Sequence, residues 1–301
     1  MNGDSMAPFT RSLPMRRRVQ AAVVVIVVVL VGAVGVIGVG RVRQAAAIMR
    51  CRNNMKFIGI ALQNYESTCG HFPAGTVQNT TLPPDERLGW LVDIWPNFME
   101  GHPRLQFDKA KAWDAEGNCP PYCFQMKNKR DYELPKRVQV IGDVKAFLCP
   151  SNPARNGPLL PCPTHYVGVS GVGPNAASLP LSSERAGLFG YDRKASIADI
   201  KDGQSTTMAL AEVTDGGPWS AGGRATIRGV EPDGAPYLGG GGQFASFHQN
   251  GGSFSWSQPI ITNVAFVDGS VRALTNAIAP EVFEALATIA GGEAVEVITD
   301  G

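Results

Sequence analysis

The sequence predicts an α+β protein in which a long N-terminal helix packs on an antiparallel β-sheet domain with turn-rich insertions. Three observations predict it. From Ala21 to Val39 every residue is Ala, Val, Ile, Leu or Gly. A helical period then continues through residues 44–65, and no proline interrupts residues 15–72. Beyond that stretch, short β-prone runs alternate with Gly- and Pro-rich turns, which is the pattern of an α+β chain.

The apolar run comes first. About 19 such positions meet the length a helix needs to cross a bilayer, and they exceed the usual h-region of a secretory signal peptide. Val-rich sequence suits a strand in water, but in lipid a lone segment can satisfy its own backbone only as a helix. Gly32, Gly35, Gly38 and Gly40 give this span a small-residue face that would let a second helix approach closely. Arg11, Arg16, Arg17 and Arg18 precede the span, while Arg41, Arg43, Arg50, Arg52 and Lys56 follow it, so charge alone does not orient it. Six cysteines behind one export-like span fit an oxidising compartment. The expectation is a single-pass protein of the inner (cell) membrane, with its N-terminus in the cytoplasm.

The next stretch reads as an amphipathic helix, with Ile48, Met55, Ile58 and Leu62 recurring at helical spacings among polar residues. Span and stretch together predict one helix of about 50 residues. Thr68-Cys69-Gly70 and Pro73 supply its stop. The predicted division is a cytoplasmic segment 1–18, a transmembrane helix 19–40, its amphipathic continuation 41–67, and an extracytoplasmic α+β domain 68–301. Within that domain the best strands are 136–144 with Phe147-Leu148, then 164–169, 207–213, 224–230, 263–267 and 270–274. Asp268-Gly269 between the last two signals a hairpin. Ile197 to Ile200 reads as a helical turn. Residues 280–289 read as a short helix, with Pro280 at its start and Gly291-Gly292 beyond its end.

Composition narrows the function classes. The chain has 301 residues, 44% of them hydrophobic and 18% charged, which is enough for a sizeable core. Its 27 basic and 26 acidic side chains give a net charge of +1, without the basic excess that nucleic-acid binding needs. Gly (35) and Pro (22) are abundant enough to point to short elements and many turns.

Several blocks carry a family resemblance. CRNNMKFIGIALQNYESTCGHFPAG (Cys51 to Gly75) resembles the signature of a bacterial family of prepilin-like proteins catalogued as domain of unknown function 1559. In that family the segment follows a hydrophobic N-terminal helix. Residues 89–118, FLCPSNP (147–153), THYVGVSGVG (164–173), residues 187–213, AFVDGSVRAL (265–274) and residues 279–293 resemble its later blocks in order. The resemblance implies a pilin-like fold related to the G-type pseudopilins of type II secretion, and no known activity. Two departures bear on assembly. Family members with a processing site carry Gly or Ala and then Phe-Thr-Leu-Val-Glu before the apolar run, where this chain has Arg16-Arg-Arg-Val-Gln-Ala-Ala22. No Asp or Glu lies between Asp4 and Glu66, so the membrane glutamate proposed to guide pilin assembly has no counterpart. The expectation is an uncleaved anchor.

Chemical candidates are sparse. His248 and Asp268 resemble the family's His-then-Asp-Gly motif, with a longer interval filled by residues 253–262. They read either as metal ligands or an acid/base pair, or more plainly as a loop histidine and a turn aspartate. His71, His102 and His165 show no metal-ligand spacing. Cys119, Cys123, Cys149 and Cys162 suggest either a tetrathiolate site or disulfides. Disulfides fit the exterior better, paired as Cys119 with Cys123 and Cys149 with Cys162, leaving Cys51 and Cys69 free. Ser170 sits in a Gly-rich stretch without the lysine of a phosphate loop and reads as a turn-rich connection. Glu212, Asp215, Glu231 and Asp233 lie among glycines and read first as a solvated loop, with no cofactor expected; the alternative is calcium, held by their hard oxygen ligands.

The predicted function is a non-enzymatic, membrane-anchored, pseudopilin-like structural protein of the cell envelope. Its partners would be the lipid bilayer and further copies or other secretion-system pseudopilins. The alternative is a monomeric anchored module that binds a ligand such as a glycan through exposed aromatics, Trp219, Tyr237 and Trp256.

Overall fold

The computed structural model describes residues 15–98, 107–115, 118, 145–152, 163–239, 241–248 and 261–292. A single helix, α1 (Met15–Cys69), runs for 55 residues, about 80 Å at the usual rise. It stops where the periodicity predicts. Gly70 takes φ +75° and donates its N–H to the Glu66 carbonyl at 2.7 Å, closing the last turn with a residue that tolerates the left-handed region.

The two halves of α1 have different surroundings. Cys51, Met55, Ile58, Ala61 and Leu62 form a buried stripe at steps of three and four residues. The Gln63 side-chain amide donates to the Val267 carbonyl, fastening the same face to the sheet. Phe57 and Ile60, on the other side of the helix, stay more than half exposed. Nearer the N-terminus every large apolar side chain described from Val19 to Val39 is exposed, and none of the apolar window is covered by protein. This helix is long and apolar enough to cross a membrane.

A second helix, α2 (Trp90–Phe98), packs beside α1. Sequence periodicity does not single it out, because its nine residues contain Pro96. Trp90 and Trp95 anchor it: the Trp90 indole N–H donates to the Thr226 carbonyl at 3.0 Å, and Trp95 stacks on Trp219 with ring centres 5.1 Å apart.

The sheet has five strands: β1 (Tyr166–Val172), β2 (Met208–Glu212), β3 (Ile227–Val230), β4 (Ile261–Phe266) and β5 (Val271–Thr275). Their spatial order is β3-β1-β2-β4-β5. All neighbours are antiparallel except β1 and β3, which run parallel, so the sheet is mixed rather than purely antiparallel. The link from β2 passes over β1 before β3 begins, and a strand returning beyond its antiparallel neighbour lies parallel to the next one. The β4–β5 hairpin forms on Asp268-Gly269 as predicted, with Gly269 at φ +82°.

Other local expectations shift. Phe147, expected in a strand, ends a 3₁₀ turn (Lys145–Phe147), and residues 136–144 lie outside the described residues. Ser170 lies inside β1 and is buried, so the Gly-rich stretch is a strand and not a connection. The turn signal misled because Gly171 serves a close backbone approach. A Cβ there would stand 2.1 Å from the Arg185 carbonyl oxygen. The turn at Ile197–Asp199 and the short helix α3 (Pro280–Leu286) form where the sequence places them.

Both faces of the sheet are covered. Tyr166, Ala209, Leu210 and Ala265 share a core with α1 and α2, while Val167, Val169, Met208, Val264 and Phe266 pack with Tyr237, Phe244 and Phe283 and Leu286 of α3. Strands β1, β2 and β4 are therefore buried at every position, and β5 is a half-exposed edge.

Candidate functional site

At the N-terminal end of the docked stripe of α1, four chemically active side chains meet in the core. Cys51 comes from α1, Cys149 from the turn after residues 145–147, Glu212 from the end of β2, and His248 from the segment before β4. Their ligating atoms all lie within 4.8 Å of one another. Cys51 Sγ donates to Cys149 Sγ at 3.0 Å, Cys149 Sγ is 3.3 Å from His248 Nε2, and His248 Nε2 is 3.2 Å from Glu212 Oε1. The four residues are exposed by 0, 3, 1 and 1% in the order Cys51, Cys149, Glu212, His248.

Each member is held by its neighbours. Cys51 precedes Met55 by one helical turn, which puts it on the apolar stripe. The Cys149 backbone N–H donates to His165 Nδ1 at 2.8 Å, and the His165 backbone N–H donates to the Phe147 carbonyl at 2.8 Å. Glu212 Oε2 accepts both the backbone N–H and the side-chain amide of Asn263, at 2.8 and 2.9 Å. Arg52, next to Cys51 on α1, donates to Asn263 Oδ1 at 3.1 Å. The His248 N–H donates to Ser246 Oγ at 3.0 Å.

The electrostatics follow from this packing. The hydrogen bond from Cys51 pulls the Cys149 thiol down to about 6, against the push of burial and with help from His248. Cys51 is raised, because its proton is committed to Cys149 and its surroundings are dry. Burial lowers His248, but its contacts with Cys149 and Glu212 outweigh that and hold it up at about 10. Tyr166 nearby is pushed well above its ordinary value, mainly by burial. The arrangement is thus a dry pocket of sulfur, nitrogen and carboxylate donors. Two thiols this close can either join as a disulfide or share a metal ion.

The predicted residues divide sharply. His248 and Cys149 are in the cluster, but with partners other than those expected. Asp268 is exposed and accepts the Ser270 N–H at 2.8 Å, so it builds the hairpin turn and is not part of the group with His248. Cys149 faces Cys51, which the sequence left free; Cys119, Cys123 and Cys162 lie outside the described residues. Cys69 is exposed at the end of α1. Of the calcium candidates, Asp215 pairs with Arg228 at 2.7 Å and Glu231 with Arg224 at 3.2 Å, while Glu212 faces the core. Trp219 and Tyr237 are buried, at 1 and 3% exposure, so they do not form an exposed binding surface; Trp256 lies outside the described residues.

Sequence reasoning missed Cys51 and Glu212 as members. The signal for Cys51 was present, since residues 51, 55, 58 and 62 fall on one helical face. Its neighbours marked Glu212 only as a loop carboxylate with Asp215; its place in the cluster depends on the approach of α1 and of the segment ending at His248.

Fold and centre together define an α+β protein with a long, apolar-tipped N-terminal helix fastened to its sheet around a buried dithiol–imidazole–carboxylate cluster. A family described as a protein of unknown function, DUF1559, matches residues 40–281, and the chain belongs to that family. All four members of the cluster lie within the matched residues. No curated protein and no solved structure matches the chain.

Proposed function

We propose that this protein is a single-pass, membrane-anchored, pseudopilin-like structural protein of the cell envelope that works through assembly or protein contacts. The observation that supports the reading most is the division of α1. One half is built into a core, and the other presents a continuous, uncovered apolar surface about as long as a bilayer is thick. In water such a surface would drive aggregation, whereas in lipid it costs nothing. The sheet domain lies outside the cytoplasm, and the glycine face of the span forms the contact between copies, since a Cβ on Gly32, Gly35, Gly38 or Gly40 would meet nothing in this chain.

The test uses the full chain in its membrane. It is expected to remain in the pellet after alkaline carbonate extraction, with the sheet domain reached by a membrane-impermeant reagent from outside. A cysteine at Gly35 (Gly35→Cys) cross-links copies on oxidation in a Cys69→Ser background. Ile37→Cys, about 200° around the helix, does not. Extraction of the chain by carbonate overturns the anchor. Equal, or absent, cross-linking at the two positions overturns assembly through this face.

A further inference from the structure

We propose that Cys51, Cys149, His248 and Glu212 bind one thiophilic divalent cation of the zinc class, a structural centre that locks the membrane-proximal helix onto the sheet. The donor set is the first argument. Two sulfurs, an imidazole nitrogen and a carboxylate oxygen are a full ligand complement for a closed tetrahedral site. Neighbouring donors stand 3.0, 3.3 and 3.2 Å apart. With metal–sulfur bonds of about 2.3 Å and metal–nitrogen or –oxygen bonds of about 2.0–2.1 Å, a tetrahedral ion spaces its ligands by about 3.3–3.8 Å. Closing around an ion therefore needs the two thiols to part by less than about 1 Å, the other two neighbouring pairs to move less, and the remaining pairs, all within 4.8 Å, to draw in by no more than about 1.5 Å.

Burial is the second argument. A disulfide between Cys51 and Cys149 would use the sulfurs alone and leave a carboxylate and an imidazole, each 1% exposed, facing each other in the core. At 3.2 Å those two pair with each other, but a lone buried ion pair repays its desolvation poorly, whereas a cation uses both as ligands. A cation gives all four groups one function and neutralises the negative charge they concentrate.

The supporting shell is the third. Asn263 occupies only Oε2 of Glu212, which leaves Oε1 directed at the centre as a single-oxygen ligand. His165 fixes the backbone of Cys149, and Arg52 fixes Asn263. Outer-shell bonds of this kind hold ligands in place before the ion arrives. Loading is a simple exchange: the sulfurs and Nε2 release whatever protons they carry to water as they take the cation, and no oxidation state changes. With four protein donors and no exposed face, the centre has no open position for substrate, so its role is structural.

The experiment measures metal content and thiol state on the full chain, purified from membranes in detergent without chelator. Expected are one zinc-class ion per chain and Cys51 and Cys149 both alkylated only after denaturation with chelator. Cobalt loading should give a thiolate-to-cobalt charge-transfer band that Cys149→Ser weakens and the Cys51→Ser, Cys149→Ser double variant abolishes, and Asn263→Ala should weaken affinity by about 10-fold or more. A metal-free chain overturns the proposal, whether it carries a Cys51–Cys149 cross-linked peptide or two free thiols. So does a cobalt band that survives in the Cys51→Ser, Cys149→Ser double variant, which would place the metal on other cysteines. If the variants do not fold, alkylation of the unsubstituted metal-loaded chain decides the question: Cys51 and Cys149 protected until chelator is added supports the site, and their labelling with the metal still bound overturns it.

Discussion

Glu212 ends β2 with one carboxylate oxygen held by two donors from Asn263 and the other turned to His248. A carboxylate at 1% exposure needs those donors, because each one lost leaves buried charge without compensation. Asn263→Ala is expected to destabilise the fold by about 1–3 kcal/mol, read as a lower denaturant midpoint with an unchanged slope. His165→Ala acts on the other side of the cluster. It frees the Cys149 N–H, which is buried, and costs about 1–3 kcal/mol by the same measurement. At this scale the sequence showed the right residue types but not their partners. Asp268 was legible as a turn residue from its glycine neighbour. His248 was not legible as a partner of Cys149, because 99 residues separate them and no spacing rule spans such a distance.

At the scale of elements, α1 has two surfaces that the sequence separates by period. Met55 is fully buried on the stripe that meets the sheet, and Phe57 is 60% exposed two residues later. Met55→Ala should cost about 2–5 kcal/mol in thermal or denaturant unfolding, because a core contact is lost and a cavity opens. Phe57→Ala should change stability by less than about 0.5 kcal/mol. Equal effects would mean that the helix docks on a different face. The hairpin on Asp268-Gly269 and the helix opened by Pro280 were also legible, since turn and start signals are local. Helix α2 was not, and neither was the parallel pairing of β1 with β3. A nine-residue helix containing a proline lacks a readable period, and strand order is decided by which edge a returning chain reaches.

For the whole molecule, the contrast between a covered and an uncovered half of one 55-residue helix sets the proposed topology. Val28→Arg places a charge near the middle of the apolar run, where its insertion costs about 2.5–3.5 kcal/mol. The expected outcome is a reduced membrane-bound fraction after carbonate extraction, with the sheet domain still folded by near-ultraviolet circular dichroism. An unchanged membrane fraction would show that the run is not the anchor.

The sequence by itself determined the α+β class, the extent of the long helix, its apolar half and the last hairpin. These rest on period, length and turn chemistry, which act between residues near one another in the chain. Tertiary structure alone decided that Cys51, Cys149, Glu212 and His248 share one pocket, that Trp219 and Tyr237 are core residues, and that the sheet is covered on both faces. Those outcomes depend on packing between segments far apart in sequence, where the burial of a whole face outweighs any local preference.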